Sequence, residues 1–192
     1  MNNYTNIIRQ AKSLVIFKSL HENQVFSGLI NALDAIDNNS VDNAIEKYCD
    51  FVSKLYAHSD NLTEYMLQIM LENVNLYMLR KGEGKDTGFI LDQCLANELA
   101  VIETLSQISS AELISRIDYS EFLPEYKVEK LDFAKIYAER IHNIRQYGYG
   151  IYSRYHVFVI KDGKIVPVKS PDDISLSQLS GYERERQEVI DN

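Results

Sequence analysis

The chain of 192 residues contains little cysteine. Cys49 and Cys94 are its only thiols, they lie far apart, and neither belongs to a metal-binding spacing. We therefore expect no disulfide framework, and both thiols are expected to be buried and reduced. The chain also lacks an apolar run of the ~20 residues that a membrane helix needs, and its N-terminus lacks the basic start and apolar core of a secretion signal. A cytoplasmic protein without a membrane partner is expected.

Basic residues are in the minority. The chain has 20 Lys and Arg against 28 Asp and Glu, which gives a formal net charge of -8. Residues 1–120 carry 9 basic and 16 acidic side chains, whereas residues 126–169 carry 9 basic and 4 acidic ones. Because nucleic acids are bound through an excess of Lys and Arg, this balance argues against a nucleic-acid partner for the whole chain. An acidic body with a mildly basic neck is expected.

Hydrophobic periodicity predicts a mainly α-helical fold. Apolar residues recur at intervals of three and four, which places them on one face of each helix. At 45% hydrophobic content, a chain of this length can bury a full core. The helix 87–108, whose apolar stripe begins at Ile90, is the most apolar and is predicted to be central. The predicted helices are 4–20, 25–36, 41–57, 62–80, 87–108, 109–117 and 127–146.

The hydrophobic period changes from 3.6 to 2 near Gly150. Beyond it, two runs rich in branched and aromatic residues, 151–160 and 165–168, flank Asp162-Gly163. Asp-Gly between two such runs is typical of a β-hairpin, because a type I′ turn needs positive φ at both central positions. The sequence thus predicts a helical bundle of six to seven helices over residues 1–147. A β-hairpin, a linker and a terminal helix are predicted over residues 148–192.

No catalytic or metal-binding constellation is predicted. The segment from Gly82 to Thr87 lacks the first glycine of a phosphate loop and has Asp86 where that motif requires Ser or Thr. A turn between two helices is the favoured interpretation. Glu139 and His142 have the spacing of half a di-iron site, but the sequence offers no second half, so they are assigned to a polar helix face.

Basic and aromatic residues alternate between Arg145 and His156. The pattern is faintly similar to an RNA-recognition strand, but its stacking positions are not matched and the four-stranded sheet of that motif is not predicted. The tyrosines either pack the hairpin on the bundle or form a functional neck. The residues assigned to this neck or docking surface are Arg145, Tyr147, Tyr149, Tyr152, Arg154 and Tyr155.

Three stretches of the C-terminal part carry a family resemblance: 147–158, 166–172 and 179–186. They resemble a bacterial family of AAA+-type ATPases, known mainly as a domain of unknown function, in which a helical N-terminal region precedes the ATPase core. The resemblance implies that the chain is the N-terminal accessory domain and linker of such an ATPase and that the core would begin beyond Asn192. It also implies that Gly181 and Tyr182 form one edge of an adenine site that this chain leaves incomplete.

The resemblance further implies that the accessory domain has no chemistry and no cofactor of its own, while ATP and Mg²⁺ bind to the parent protein. Its expected partners are its own ATPase core and an unidentified protein partner or substrate, and homo-oligomers would form through the parent ATPase. Recognition of that partner or regulation of the core is the expected function. The alternative is a stand-alone helical protein-interaction adaptor, and a weaker one is an RNA-binding module.

The chain by itself should not bind ATP tightly. Gly181 and Tyr182 supply one edge of an adenine pocket and no phosphate cradle, so titration calorimetry with ATP and Mg²⁺ is expected to show no micromolar binding. A micromolar dissociation constant would contradict the interpretation that the nucleotide site lies downstream of these residues.

Overall fold

The structure is a computed structural model that describes residues 4–38, 40–144, 158–161 and 164–167. The chain divides into two compact units, Met1–Ser153 and Arg154–Asn192. The predicted boundary between residues 147 and 148 lies outside the described residues and remains a prediction.

The described part of the first unit contains eight α-helices and one 3₁₀-helix, and the mainly α-helical fold is confirmed. The 3₁₀-helix, Lys18–Glu22, lies between the first two α-helices. No helix in the described part is long and apolar enough to cross a membrane. The α-helices are α1 Thr5–Lys12, α2 Gln24–Asn38, α3 Val41–Tyr56, α4 Leu62–Glu72, α5 Leu76–Gly82, α6 Gly88–Ser106, α7 Ser110–Ile114 and α8 Phe133–His142.

Two short strands lie in the second unit, β1 Phe158–Lys161 and β2 Lys164–Pro167. They pair antiparallel, with Phe158 opposite Pro167 and Lys161 opposite Lys164. This register leaves two residues between the strands, as predicted for a two-residue hairpin loop. Asp162 and Gly163, the predicted turn, lie outside the described residues.

The helices pack around α6. This helix contacts α1, α4 and α8, while α2 contacts α3, α1 and the 3₁₀-helix. Contacts between elements so distant in sequence distinguish a bundle from stacked repeats, in which each repeat contacts only its neighbours. The largest side chains buried in this core are aromatic: Phe17, Phe26, Tyr48, Phe51, Phe133 and Tyr137.

The predicted helix 4–20 is wrong beyond Lys12, where α1 ends. The carboxylate of Glu98, on α6, accepts hydrogen bonds from three consecutive backbone N–H groups, those of Val15 at 2.9 Å, Ile16 at 3.1 Å and Phe17 at 2.9 Å. A continued helix would direct those N–H groups to its own carbonyls. Glu98 is only 7% exposed, so its charge is stabilised by these bonds where water is excluded. A tertiary contact thus ends the helix.

The predicted helix 62–80 is two helices, α4 and α5, separated by Asn73, Val74 and Asn75. The Asn75 side chain accepts from the Met78 N–H at 2.9 Å and caps α5, and its amide donates to the Tyr137 hydroxyl at 3.1 Å. Asparagine side chains compete with the helical backbone for hydrogen bonds, which favours a break here. This split is the reason that the structure has more helices than predicted.

The predicted helix 127–146 begins only at Phe133, because the preceding residues are extended. We call residues 119–131 the strap. The Lys127 N–H donates to the Asp60 carbonyl at 2.8 Å, and the Lys127 carbonyl accepts from the Leu62 N–H at 2.9 Å. The Thr63 hydroxyl accepts from the Glu129 N–H at 2.9 Å and donates to the Ser106 carbonyl at 2.8 Å, with the Glu129 carbonyl at 3.1 Å. The strap therefore completes the hydrogen bonds at the start of α4.

Tyrosine hydroxyls hold the rest of the strap on the bundle. Tyr48 donates to the carbonyl of Pro124 at 2.6 Å, and Tyr56 donates to the carbonyl of Glu125. Tyr126, in the strap itself, donates to the carbonyl of Ile108 at 2.8 Å. These bonds satisfy main-chain groups of a segment that has no helix or sheet to satisfy them.

Replacement of Glu98 by Gln should destabilise the bundle by about 2 to 3 kcal/mol, because the neutral amide has one acceptor oxygen for three N–H groups. Urea unfolding followed by circular dichroism measures the loss. Glu64→Gln, at an exposed position of α4, is the control and should change stability by less than about 0.5 kcal/mol. Equal losses in the two variants would contradict the role given to Glu98.

The free energy of unfolding should fall at alkaline pH, in part because the Tyr137 hydroxyl ionises. Burial is the main cause that raises the pKa of Tyr137 from 10.0 to about 12. Because the unfolded chain releases this proton first, the stabilisation is complete below the ordinary pKa and is lost as the pH rises toward 12. Tyr137→Phe should reduce the alkaline decline in unfolding free energy by on the order of 2 kcal/mol. Urea titrations across this range test it, with Tyr119→Phe, at an exposed position, as the control; an unchanged decline in Tyr137→Phe would contradict it.

Candidate protein-binding surface

The predicted neck and the predicted adenine edge lie outside the described residues. This holds for Arg145, Tyr147, Tyr149, Tyr152, Arg154 and Tyr155, and for Gly181 and Tyr182. Their assignments therefore remain predictions. The candidate surface described below is built from other residues, on α5 and α6.

The segment from Gly82 to Thr87 connects α5 to α6. Gly84 has φ 72°, and the Lys85 N–H donates to the Arg80 carbonyl at 2.8 Å, which closes the C-terminal turn of α5. The Thr87 hydroxyl donates to Asp92 at 2.7 Å. These are the bonds of a turn between two helices, as the sequence indicated, and no phosphate cradle is formed by the segment.

The pair Glu139 and His142 lies at the C-terminal end of α8. Within the described ranges, no group of three or more His, Cys, Asp and Glu side chains is placed to hold a metal ion. The pair therefore has no metal-binding neighbours among those residues.

The α5–α6 apolar surface consists of Val74, Leu76, Leu79, Phe89 and Ile90. All five side chains are exposed, and Phe89 and Ile90 are 74% and 75% exposed. The prediction that the stripe beginning at Ile90 faces inward is wrong at its start. Exposed large apolar side chains that lie this close together in the chain make the segment a candidate interaction site.

The division of α6 into two halves explains this exposure. Its buried residues are confined to the second half, which starts at Glu98. The first half, from Gly88 to Asn97, has no fully buried side chain. Its side chains are exposed or partly buried although several of them are large and apolar. Periodicity alone does not reveal where a long apolar helix leaves the core.

Polar groups surround Asp92 in the first half of α6. Asp92 accepts a hydrogen bond from the hydroxyl of Thr87, the N-cap of α6, at 2.7 Å, and the hydroxyls of Thr87 and Tyr77 lower the pKa of the Asp92 carboxyl. Burial, followed by the bond to Asp92, raises the pKa of the Tyr77 hydroxyl. The Lys81 ammonium lies 5.5 Å from the centre of the Tyr77 ring. The apolar side chains of the surface are therefore displayed from ordered helices.

A cleft of about 420 Å³ lies beside this surface, between α5, α6 and α8. Leu95 and Leu99 of α6 and Ile141 of α8 contribute to its apolar walls, and Lys81 and His142 contribute polar groups. Its volume is within the range of ligand-binding clefts, which often lie between helices of bundles. No sequence motif marks this cleft, because its residues come from three separate helices.

Phe122 is the most exposed large apolar side chain of the described residues, at 86%. It lies in the strap, next to Leu123, which is buried. The sequence analysis did not single it out, since an isolated aromatic residue before a proline gives no periodic signal. It is a further exposed apolar side chain, distant in the chain from α5 and α6.

The chain was compared with known proteins at three levels. No protein-family model, no curated protein and no solved structure matches it.

Proposed function

We propose that the helical unit is a non-catalytic protein-recognition domain. The observation that carries this proposal is the α5–α6 apolar surface, with Phe89 and Ile90 exposed at 74% and 75% on an ordered helix. Large apolar and aromatic side chains fixed on helices bind partners at a low entropic cost, because little freedom remains to be lost.

A protein is a better partner for this surface than a nucleic acid. The chain has a formal net charge of -8, and the α5–α6 surface is itself apolar. Nucleic acids bind to Lys and Arg excess, whereas the centres of protein interfaces are depleted in charge and enriched in aromatic residues. An RNA-binding role therefore has less support than protein recognition.

We further propose that this domain belongs to a cytoplasmic AAA+-type ATPase and recognises a protein partner or substrate for it, or regulates its core. The support is the resemblance of residues 147–158, 166–172 and 179–186 to that family. ATP and Mg²⁺ would then bind to the core of the parent protein, which would also form the homo-oligomer. Gly181 and Tyr182 would lie at the edge of that core.

A stand-alone adaptor is the rival function, and it would use the same apolar surface. The gene sequence beyond the codon for Asn192 distinguishes the two. A strand followed by a glycine-rich loop with Gly-Lys-Ser or Gly-Lys-Thr supports the ATPase, and a stop codon supports the adaptor.

Substitution of Phe89 or Ile90 by Ser should weaken partner binding without loss of fold. Both side chains are mostly exposed, so their removal leaves the core intact and takes away contacts to the partner. A photoreactive amino acid placed at Gln93, on the exposed first half of α6, would cross-link the partner in cells. The cross-linked product would appear as a defined band on a gel. We expect the band to weaken at least tenfold, which corresponds to the loss of about 1.4 kcal/mol of binding free energy.

Val15→Ser is the matched control, since Val15 is 67% exposed on another segment. It should leave the cross-linked band unchanged, and circular dichroism should show a folded bundle for all three variants. A band that survives both α6 substitutions, or that disappears in the control, would contradict the assignment of this surface.

A further inference from the structure

We propose that the cleft between α5, α6 and α8 is a binding site for an aliphatic monocarboxylate, with the alkyl chain between α6 and α8 and the carboxylate at Lys81. The inference does not depend on the proposed protein-recognition function. It rests on the shape of the cleft, on the residues that line it and on the position of a cationic side chain.

Small residues on α8 create the space. Ala134 and Ala138 line the cleft one turn apart on the same face of α8, and Ile141 follows them. Leu95 and Leu99 lie on the opposite wall, in α6. Two alanines opposite two leucines leave a trough of about 420 Å³ between the helices, with aliphatic side chains on both walls. Such walls attract an alkyl chain through burial of its surface, without direction-dependent bonds.

The charged side chain among the residues that line the cleft is cationic. Lys81, at the end of α5, contributes its ammonium group, and His142, at the end of α8, contributes a ring that carries an N–H donor in either protonation state. Within the residues that the structure describes, the Lys81 ammonium makes no ion pair within 4.0 Å, in contrast to Lys85, which pairs with Glu83 at 2.7 Å. The lining therefore offers donors to an anionic group.

Asp92 lies near Lys81 but does not line the cleft. Its carboxylate accepts from the Thr87 hydroxyl at 2.7 Å and lies within the electrostatic influence of Lys81. No Asp or Glu is among the residues that line the cleft, so the lining favours an anion over a cation.

A carboxylate with an unbranched alkyl chain combines both requirements. A purely apolar molecule would leave the Lys81 ammonium without a bond, and a compact anion such as acetate would leave the walls uncovered. Each methylene that enters the trough should tighten binding about fourfold, by the usual free energy of CH₂ burial.

The test is a titration of the full chain with hexanoate, octanoate and decanoate, followed by amide chemical shifts of α6 and α8. Affinity should rise about fifteenfold for each added pair of carbons. Decanol and decyltrimethylammonium, which have the same tail, should bind at least tenfold more weakly than decanoate, because a bond to a charged partner is lost or replaced by repulsion. Equal affinity for the three head groups would overturn the assignment of Lys81.

Two variants fill the trough and one removes the charge. Ala138→Leu and, independently, Ala134→Leu should abolish decanoate binding while the thermal midpoint stays equal or rises, since both alanines are exposed positions of a helix. Lys81→Met should weaken decanoate about tenfold and leave decanol unchanged. Lys85→Met, which removes an exposed lysine outside the cleft, is the matched control and should bind decanoate as the unmodified chain does.

The variants also separate this site from adhesion to the α5–α6 apolar surface. Decanoate binding that survives both trough-filling variants but is lost in Phe89→Ser would place the ligand on that surface and overturn the proposal. Binding that is lost in the trough-filling variants and retained in Phe89→Ser supports it, whatever the result of partner cross-linking.

Discussion

The contact between Glu98 and the segment after α1 is the constraint on which the arrangement of the bundle depends. One carboxylate takes three consecutive N–H groups, so the same groups are withdrawn from helix formation. The turn that follows directs Phe17 into the core, where its ring meets the edge of Tyr137 with 5.6 Å between the ring centres. A charge on α6 thereby fixes how α1, the 3₁₀-helix and α8 meet.

Tyr137 connects this contact with the cleft. Its hydroxyl bonds to Asn75, which caps α5, and its ring lines the cleft. The position of α5 relative to α8 is thus set by a buried hydrogen bond. The cleft that lies between these helices depends on this polar contact, which is satisfied in the interior.

The helical class, the hairpin and most helices could be predicted from periodicity, because amphipathic helices carry their own signal. The start of α5 and the start of α8 carry local caps, Asn75 and Asp132, which periodicity does not detect. The end of α1 at Lys12 could not be predicted, since it is set by Glu98, a partner distant in sequence. The exposed surface at Phe89 was missed for the same reason. An apolar residue has the same pattern whether the neighbouring helix reaches it or ends before it, so burial depends on tertiary structure.

The strap supplies the start of α4 with partners that are synthesised late. The start of α4 obtains its hydrogen-bond partners from Lys127 and Glu129, about 65 residues later in the chain. During synthesis at about 5 to 20 residues per second, α4 therefore waits several seconds for the residues that complete its first turn. The α2–α3 pair, whose contacts are local, has no such delay. The partners that close the first turn of α4 therefore leave the ribosome well after the helix itself, whereas those of α2 and α3 do not.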